Sequence, residues 1–477
     1  MGHNMGVRRI AGIAAVLALA AAACGADDDN SSEGSTPSTV GETTPTTAAA
    51  TGGWINGEPE WMGSEGRGGV ALESAATDDM AATDDIAATA GPMVEDFSGE
   101  ADLSGDDAIG RPEPALPDTT PLRAGSVDDN VDYQGFLEYL ARVRDLGIAV
   151  RDLDPTDRSI VTVADATGAP AAGVPVTISA DGVSVTVRTT ADGTARFLPA
   201  AYPDLAVAGA AFTASARGVT AEFARGADVA ITIDEPQEVL SPVPLDVAFL
   251  LDATGSMSDE IDRLKQTIDT VAERVAALDP APDVRFAMTL YRDEGDAFVT
   301  STYDFTSDVA EFQAALSRVV ADGGGDYPEA LDEGLADVLA APTWRSADDA
   351  IQLVFLVADA PPQVTRQVTA GYPESVRAAI ERGVKLFPIA SSESDDQAEA
   401  VFRQIAQATG APFVFLSYGA GGAATGESTD IERTDYEELA LDELVVRLIA
   451  EELAALSGGE VTPPPTTTPP TTNPEGQ

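Results

Sequence analysis

The chain has 477 residues and a formal charge of −53, from 27 basic against 80 acidic side chains. That balance repels nucleic acid and anionic lipid and gathers cations. The only histidine is His3 and the only cysteine Cys24, so past the N-terminus a metal must be held by oxygen, no disulfide can close, and Ser-His and Cys-His catalysis are excluded.

In chain order, residues 1–23 place Arg8 and Arg9 before an apolar run, Ile10 to Ala23, that is too short for a membrane span and reads as a secretory signal. Ala21-Ala22-Ala23 before Cys24 resembles a bacterial lipoprotein signal. The resemblance implies acylation of Cys24 and a chain anchored by lipid alone to the outer face of the bacterial cell membrane. Residues 24–121 are Ser, Thr, Ala, Gly, Pro and acid without sustained period, the composition of a disordered acidic linker. A coil of about a hundred residues averages roughly 50–60 Å between its ends, which suits reach. Trp54 and Trp61 read as isolated aromatics within it, a small ordered or binding segment being the alternative.

Residues 122–155 form a short pre-segment with one helix expected around Phe136–Asp145. From 156 to 236 the pattern changes to alternation, in Ile160-Val161-Thr162-Val163, Val174–Ile178 and Val183–Val187, with turns at Asp165–Gly168 and Ala191-Asp192-Gly193. Short strands at that spacing predict a small all-β sandwich. Gly173–Ile178 and Thr190–Phe197 resemble the prealbumin-like domain related to the carboxypeptidase regulatory region, which implies a spacer.

Residues 241–458 alternate strand and helix, which predicts an α/β fold with a doubly wound, mostly parallel sheet flanked by helices. Leu245–Leu251 is a near-continuous apolar run, the mark of a central parallel strand. Ile261, Leu264, Ile268, Val271, Val275 and Leu278 then form one helical stripe. Further strands are expected at Val284–Tyr291, Ile351–Val357, Val384–Ile389 and Phe413–Leu416, and helices at Phe312–Val320, from Pro328 as first helical residue, and from Leu441. Residues 459–477 are an unstructured Pro/Thr tail.

Between the first strand and helix lies Asp252-Ala253-Thr254-Gly255-Ser256. A carboxylate and two hydroxyls at the carboxyl end of a strand, beside a helix N-terminus, suit a hard divalent cation such as magnesium. Taken singly these residues also read as ordinary helix caps. Asp252-x-Thr254-x-Ser256 resembles the metal-ion-dependent adhesion site of von Willebrand factor type A domains, D-x-S-x-S, with threonine keeping the first hydroxyl. The resemblance continues through Tyr291-Arg292-Asp293, Phe305-Thr306, the loop Gly323-Gly-Gly-Asp326-Tyr-Pro-Glu329 and Asp359-Ala-Pro-Pro.

That likeness implies a site for Mg²⁺ (or Ca²⁺ or Mn²⁺) built from Asp252, Thr254, Ser256, Asp326 and Asp359, Asp326 standing where many members have threonine. It also implies a cell-surface protein without enzymatic activity, which binds an extracellular or envelope protein or matrix ligand through the ion. Two alternatives remain at this stage. In one, the metal merely staples a surface scaffold. In the other, Asp252-Ala-Thr-Gly-Ser is the aspartyl-phosphate loop of a phosphotransferase, with Asp252 as nucleophile and Lys385 as its lysine.

Overall fold

A computed structural model of the chain describes residues 52–55, 122–206, 211–325, 327–391, 394–417, 438–457 and 461–462. Cys24 and Asp326 lie outside the described residues, as do the signal and the tail after 462. The elements are β1 (Arg123–Val127), α1 (Tyr133–Leu146), β2 (Ser159–Ala164), β3 (Pro175–Ala180), β4 (Val183–Arg188), β5 (Thr194–Phe197), α2 (Pro203–Ala206), β6 (Ala211–Ala216), β7 (Val219–Ala224) and β8 (Val229–Thr232). There follow β9 (Pro244–Asp252), α3 (Ser258–Ala276), β10 (Asp283–Tyr291), β11 (Thr300–Thr306), α4 (Val309–Leu316), α5 (Leu331–Ala340), β12 (Ile351–Ala358) and α6 (Tyr372–Arg382). The last are β13 (Lys385–Ala390), α7 (Asp396–Thr409), β14 (Phe413–Ser417), β15 (Leu439–Ala440) and α8 (Leu441–Ser457).

An eight-stranded sheet runs in the order β11-β10-β9-β12-β13-β14-β1-β15. The strands from β10 through β14 in that order pair in parallel, while β11 and β1 join their neighbours antiparallel. Side chains of a strand alternate between faces, and β9 uses both. Val247, Phe249 and Leu251 join the core under α3, α4 and α8, whereas Ala248 and Leu250 join the core under α5, α6 and α7. A strand covered on both faces must be apolar along its length, which is why β9 and β12 read as continuous runs. The predicted α3 stripe is buried from Ile261 to Leu278. One charge is built into this core: Asp246 of β9 accepts from Arg285 at 2.9 and 2.7 Å and from Arg345 at 3.1 Å, the pairing that a buried carboxylate requires.

Three local readings change. The helix expected to reach Val320 stops at Leu316, its start fixed by Asp308 accepting from the amides of Ala310 and Glu311. Pro328 is not the first residue of a helix; the Tyr327–Pro328 bond is cis and α5 begins only at Leu331. The intervening residues instead carry the Glu329 amide to Pro361 O, at 3.1 Å. Finally, the segment 122–155, read as lying before the α/β unit, enters its sheet. β1 pairs with β14 from Arg123↔Ser417 to Val127↔Phe413, and α1 buries Phe136, Leu140 and Val143.

The seven strands β2 to β8 form two sheets, β5-β2-β8 and β4-β3-β6-β7, around Val161, Val176, Ile178, Phe197 and Phe212. This two-sheet unit rests on the α/β part through Arg188 with Asp348 and through Lys385, which pairs with Asp192 at 3.4 Å and Glu452 at 2.6 Å.

Candidate metal centre

The chain passes from β9 to β10 on one side and later to β12 on the other side of β9. The carboxyl end of β9 is therefore the point where strand order reverses, and ligand sites of open α/β sheets lie there. Asp252 ends β9 opposite Tyr291 of β10. It is fully buried. Its Oδ1 accepts from the Thr254 amide at 3.0 Å and the Thr254 hydroxyl at 2.6 Å, while Oδ2 accepts from the Tyr291 hydroxyl at 2.9 Å. Thr254 Oγ1 lies 3.1 Å from Ser256 Oγ. Neither Thr254 nor the residue before α3 makes a side-chain cap, so the hydroxyls turn toward the carboxylates instead of closing a helix end. The capping alternative does not describe them.

A second loop, from Asp322 to Ala330, is laced to the first. Gly255 N donates to Gly323 O at 3.0 Å and Asp322 N to Ala253 O at 3.0 Å. Gly323 and Gly324 both have positive φ, +79° and +68°, and a Cβ on Gly324 would lie 2.8 Å from Glu329 Oε1 and 3.0 Å from Thr254 Cβ. Only glycine lets the loop run between those side chains. The third loop follows β12 and carries Asp359; it is tied to the second by Gln363 Nε2 donating to Pro328 O at 2.7 Å.

Four of the five expected ligands are described, and the structure brings Asp252, Thr254, Ser256 and Asp359 together. It also adds Glu329, which the sequence reading quoted but passed over in favour of Asp326. Glu329 and Asp359 are each 4% exposed, and Glu329 Oε2 and Asp359 Oδ1 are buried without a hydrogen-bond partner. Buried carboxylate oxygens of this kind call for a cation or a proton. Among the described residues no three His, Cys, Asp or Glu side chains are grouped to hold one ion. What the described residues offer an ion here is two carboxylates, Asp252 and Asp359, with the hydroxyls of Thr254 and Ser256. An all-oxygen set fits Mg²⁺, Ca²⁺ or Mn²⁺, and Glu329 stands beside it as a further negative charge.

Electrostatics say the same. Burial pushes Asp359 up to about 7, with the charge of Asp252 adding to the rise and a hydrogen bond from Ser256 opposing it. Burial pushes Glu329 up to about 8, reinforced by Asp252, Asp293, Asp359 and Asp296. Asp252 rises to about 6 by burial, held back by Thr254 and Tyr291. Without an ion, the folded protein keeps protons here that the unfolded chain releases above about pH 4. This stabilisation is complete below about pH 4 and is lost as pH rises through the window from about 6 to about 8. In EDTA the melting temperature should fall between pH 5 and pH 8, and saturating Mg²⁺ should restore most of the loss at pH 8 but little at pH 5. A stabilisation by Mg²⁺ that is the same at both would contradict protonation of these groups in the ion-free site.

Neither lysine serves Asp252. Lys385 opens β13, at the amino end of the sheet, paired with Asp192 and Glu452; Lys265 donates to Val319 O and pairs with Asp262. The lysine that the aspartyl-phosphate alternative requires beside Asp252 is therefore not supplied by either residue.

Residues 246–419 match the family model of the von Willebrand factor type A domain, and that stretch holds most of the mixed α/β, mostly parallel sheet described above. It is 31% identical over 118 residues to the alpha-protein kinase vwkA of Dictyostelium discoideum, covering 24% of this chain and 18% of that protein. It is 32% identical over 101 residues to hemicentin-2 of Mus musculus, covering 21% of this chain and 2% of that one. The chain thus spans less than a fifth of the length of these curated relatives. Among solved structures, proximal thread matrix protein 1 from the mussel byssus, with a zinc-occupied MIDAS motif, is 14% identical over 49% of this chain and 55% of that one, at a TM-score of 0.32. The SpRpn10 VWA domain is 12% identical over 35% of this chain and 86% of that one, at a TM-score of 0.27.

Proposed function

We propose that this protein is an exported, lipid-anchored surface binder, whose type A domain holds a divalent cation and uses it to capture a protein or matrix ligand outside the membrane. The observation that carries the reading is the pair of unpartnered, buried carboxylate oxygens on Glu329 and Asp359, facing the Asp252, Thr254 and Ser256 cluster at the strand-order reversal. Asp252, Thr254, Ser256 and Asp359 would hold the ion, with Asp326 as the fifth ligand expected from the family pattern. Mg²⁺ is the first choice, and Ca²⁺ or Mn²⁺ fit the same oxygens. Bound there, the ion supplies an electrophilic contact point; the residues orient it and keep water from the buried side. Because Glu329 adds a carboxylate beside the ligand set, the loaded site stays electronegative, which favours a ligand presenting a neutral oxygen or a basic surface over an acidic one. Cys24 supplies the lipid anchor.

The test is ligand capture from isolated envelope and extracellular fractions, in Mg²⁺, in EDTA, and in EDTA with Mn²⁺ restored. The reading expects capture in the first and third conditions, none in the second, and none in any with Asp359→Asn. Capture that persists in EDTA would instead make the ion a staple of a passive scaffold. Labelling with palmitate, abolished by Cys24→Ser, tests the anchor separately.

A further inference from the structure

β11 is the outermost strand on its side of the sheet, and such an edge offers unpaired N–H and C=O groups to any extended peptide. Here it is covered by residues 52–55 of the N-terminal arm. Asp304 N donates to Gly53 O at 2.9 Å, and Ile55 N donates to Thr302 O at 3.0 Å. Trp54 forms an antiparallel bridge with Tyr303, and the two rings meet edge to face with centroids 5.5 Å apart. Trp54 also packs on the core beneath α3 and α4.

The fit is selective. A Cβ at position 52 would lie 2.7 Å from Thr306 Cβ and 2.8 Å from the Tyr303 hydroxyl, whereas at Gly53 it would meet nothing. Glycine is therefore demanded at the first position only, then an extended residue, then an aromatic ring. Main-chain bonds on both sides of a side-chain anchor are the grammar of strand-addition recognition.

We propose that the β11 edge is a strand-addition site for a Gly-x-Trp segment, occupied in cis by this chain's own residues 52–55. Residues 52–55 thus lie at the β11 side of the sheet, while β1 lies near its other side. Docking closes the exposed edge against addition by foreign strands. None of this depends on the metal or on the lipid anchor.

Hydrogen exchange of the full chain tests it. In Trp54→Ala and in Gly52→Val, exchange of the Asp304 amide should quicken by about tenfold or more, while Trp54→Phe keeps most of the protection and all three keep the wild-type melting temperature within a few degrees. A synthetic peptide of residues 49–57, added in excess to Trp54→Ala, should restore the protection. Unchanged exchange in both disruptive variants would overturn the assignment. Protection that grows with protein concentration together with a dimer on size exclusion would overturn the cis assignment in favour of exchange between copies.

Discussion

Replacing Asp359 with Asn is expected to remove most of this protein's response to divalent cations and to reverse its stability ranking against wild type between ion and EDTA. At an ion concentration about a hundred times the dissociation constant, the wild-type protein gains about 2.7 kcal/mol, or about 5–10 °C in melting temperature for a domain of this size. Asp359→Asn should forfeit most of that gain, because a ligand charge is gone. In EDTA at pH 8, where Asp359 has lost its proton, the same variant should melt higher than wild type, because it removes a buried charge repelled by Asp252. The crossing of the two curves separates this account from simple damage, which would lower both. If Asp359 were only a turn residue, the response to the ion would be unchanged.

Asp129→Ala is expected to be among the most destabilising single changes outside the site. Arg403 of α7 is 3% exposed and donates to Asp129 through Nε at 2.9 Å and Nη2 at 2.7 Å, with the Tyr139 ring of α1 3.6 Å from its guanidinium carbon. Removing Asp129 leaves Arg403 charged and desolvated with Glu399, 2.9 Å from Nη1, as a remaining partner, which places the loss near the low end of about 3–5 kcal/mol. Asp129→Leu combined with Arg403→Met should recover much of it, since apolar replacement of a buried pair is often neutral. Urea unfolding of the three variants checks this. Equal midpoints for Asp129→Ala and wild type would show that β1 and α1 are not integral to the α/β domain. A fragment of residues 241–458 lacks both elements and leaves β14 with an open edge, so it should unfold at lower urea than residues 122–458.

What could be read without coordinates follows from physical periodicity. β9, β10, β12 and β13 were legible because burial on both faces forces apolar runs, and α3 because its stripe recurs along a nineteen-residue helix. Asp252, Thr254 and Ser256 stand out in the sequence as a carboxylate and two hydroxyls at a strand end, whereas Asp359 enters only through the likeness to the type A pattern. β1 was not: Arg-Ala-Gly-Ser-Val is short and lacks the branched and aromatic residues that mark strands, and its partner is nearly three hundred residues away (Arg123↔Ser417). Glu329 was missed because its role comes from a loop folding back on Pro361, a tertiary fact with no periodic signal. Trp54 read first as an isolated aromatic, with a small ordered segment only as the alternative, because its docking partner Tyr303 lies far along the chain. Its signal was present only as a tryptophan preceded by glycines.

The most direct measurement is anomalous diffraction at the manganese edge from crystals equilibrated with Mn²⁺. A single strong peak is predicted within coordination distance of Asp359 and the hydroxyls of Thr254 and Ser256, absent from crystals of Asp359→Asn. Well-ordered loops with no peak, or a peak held only by other carboxylates, would contradict the metal centre.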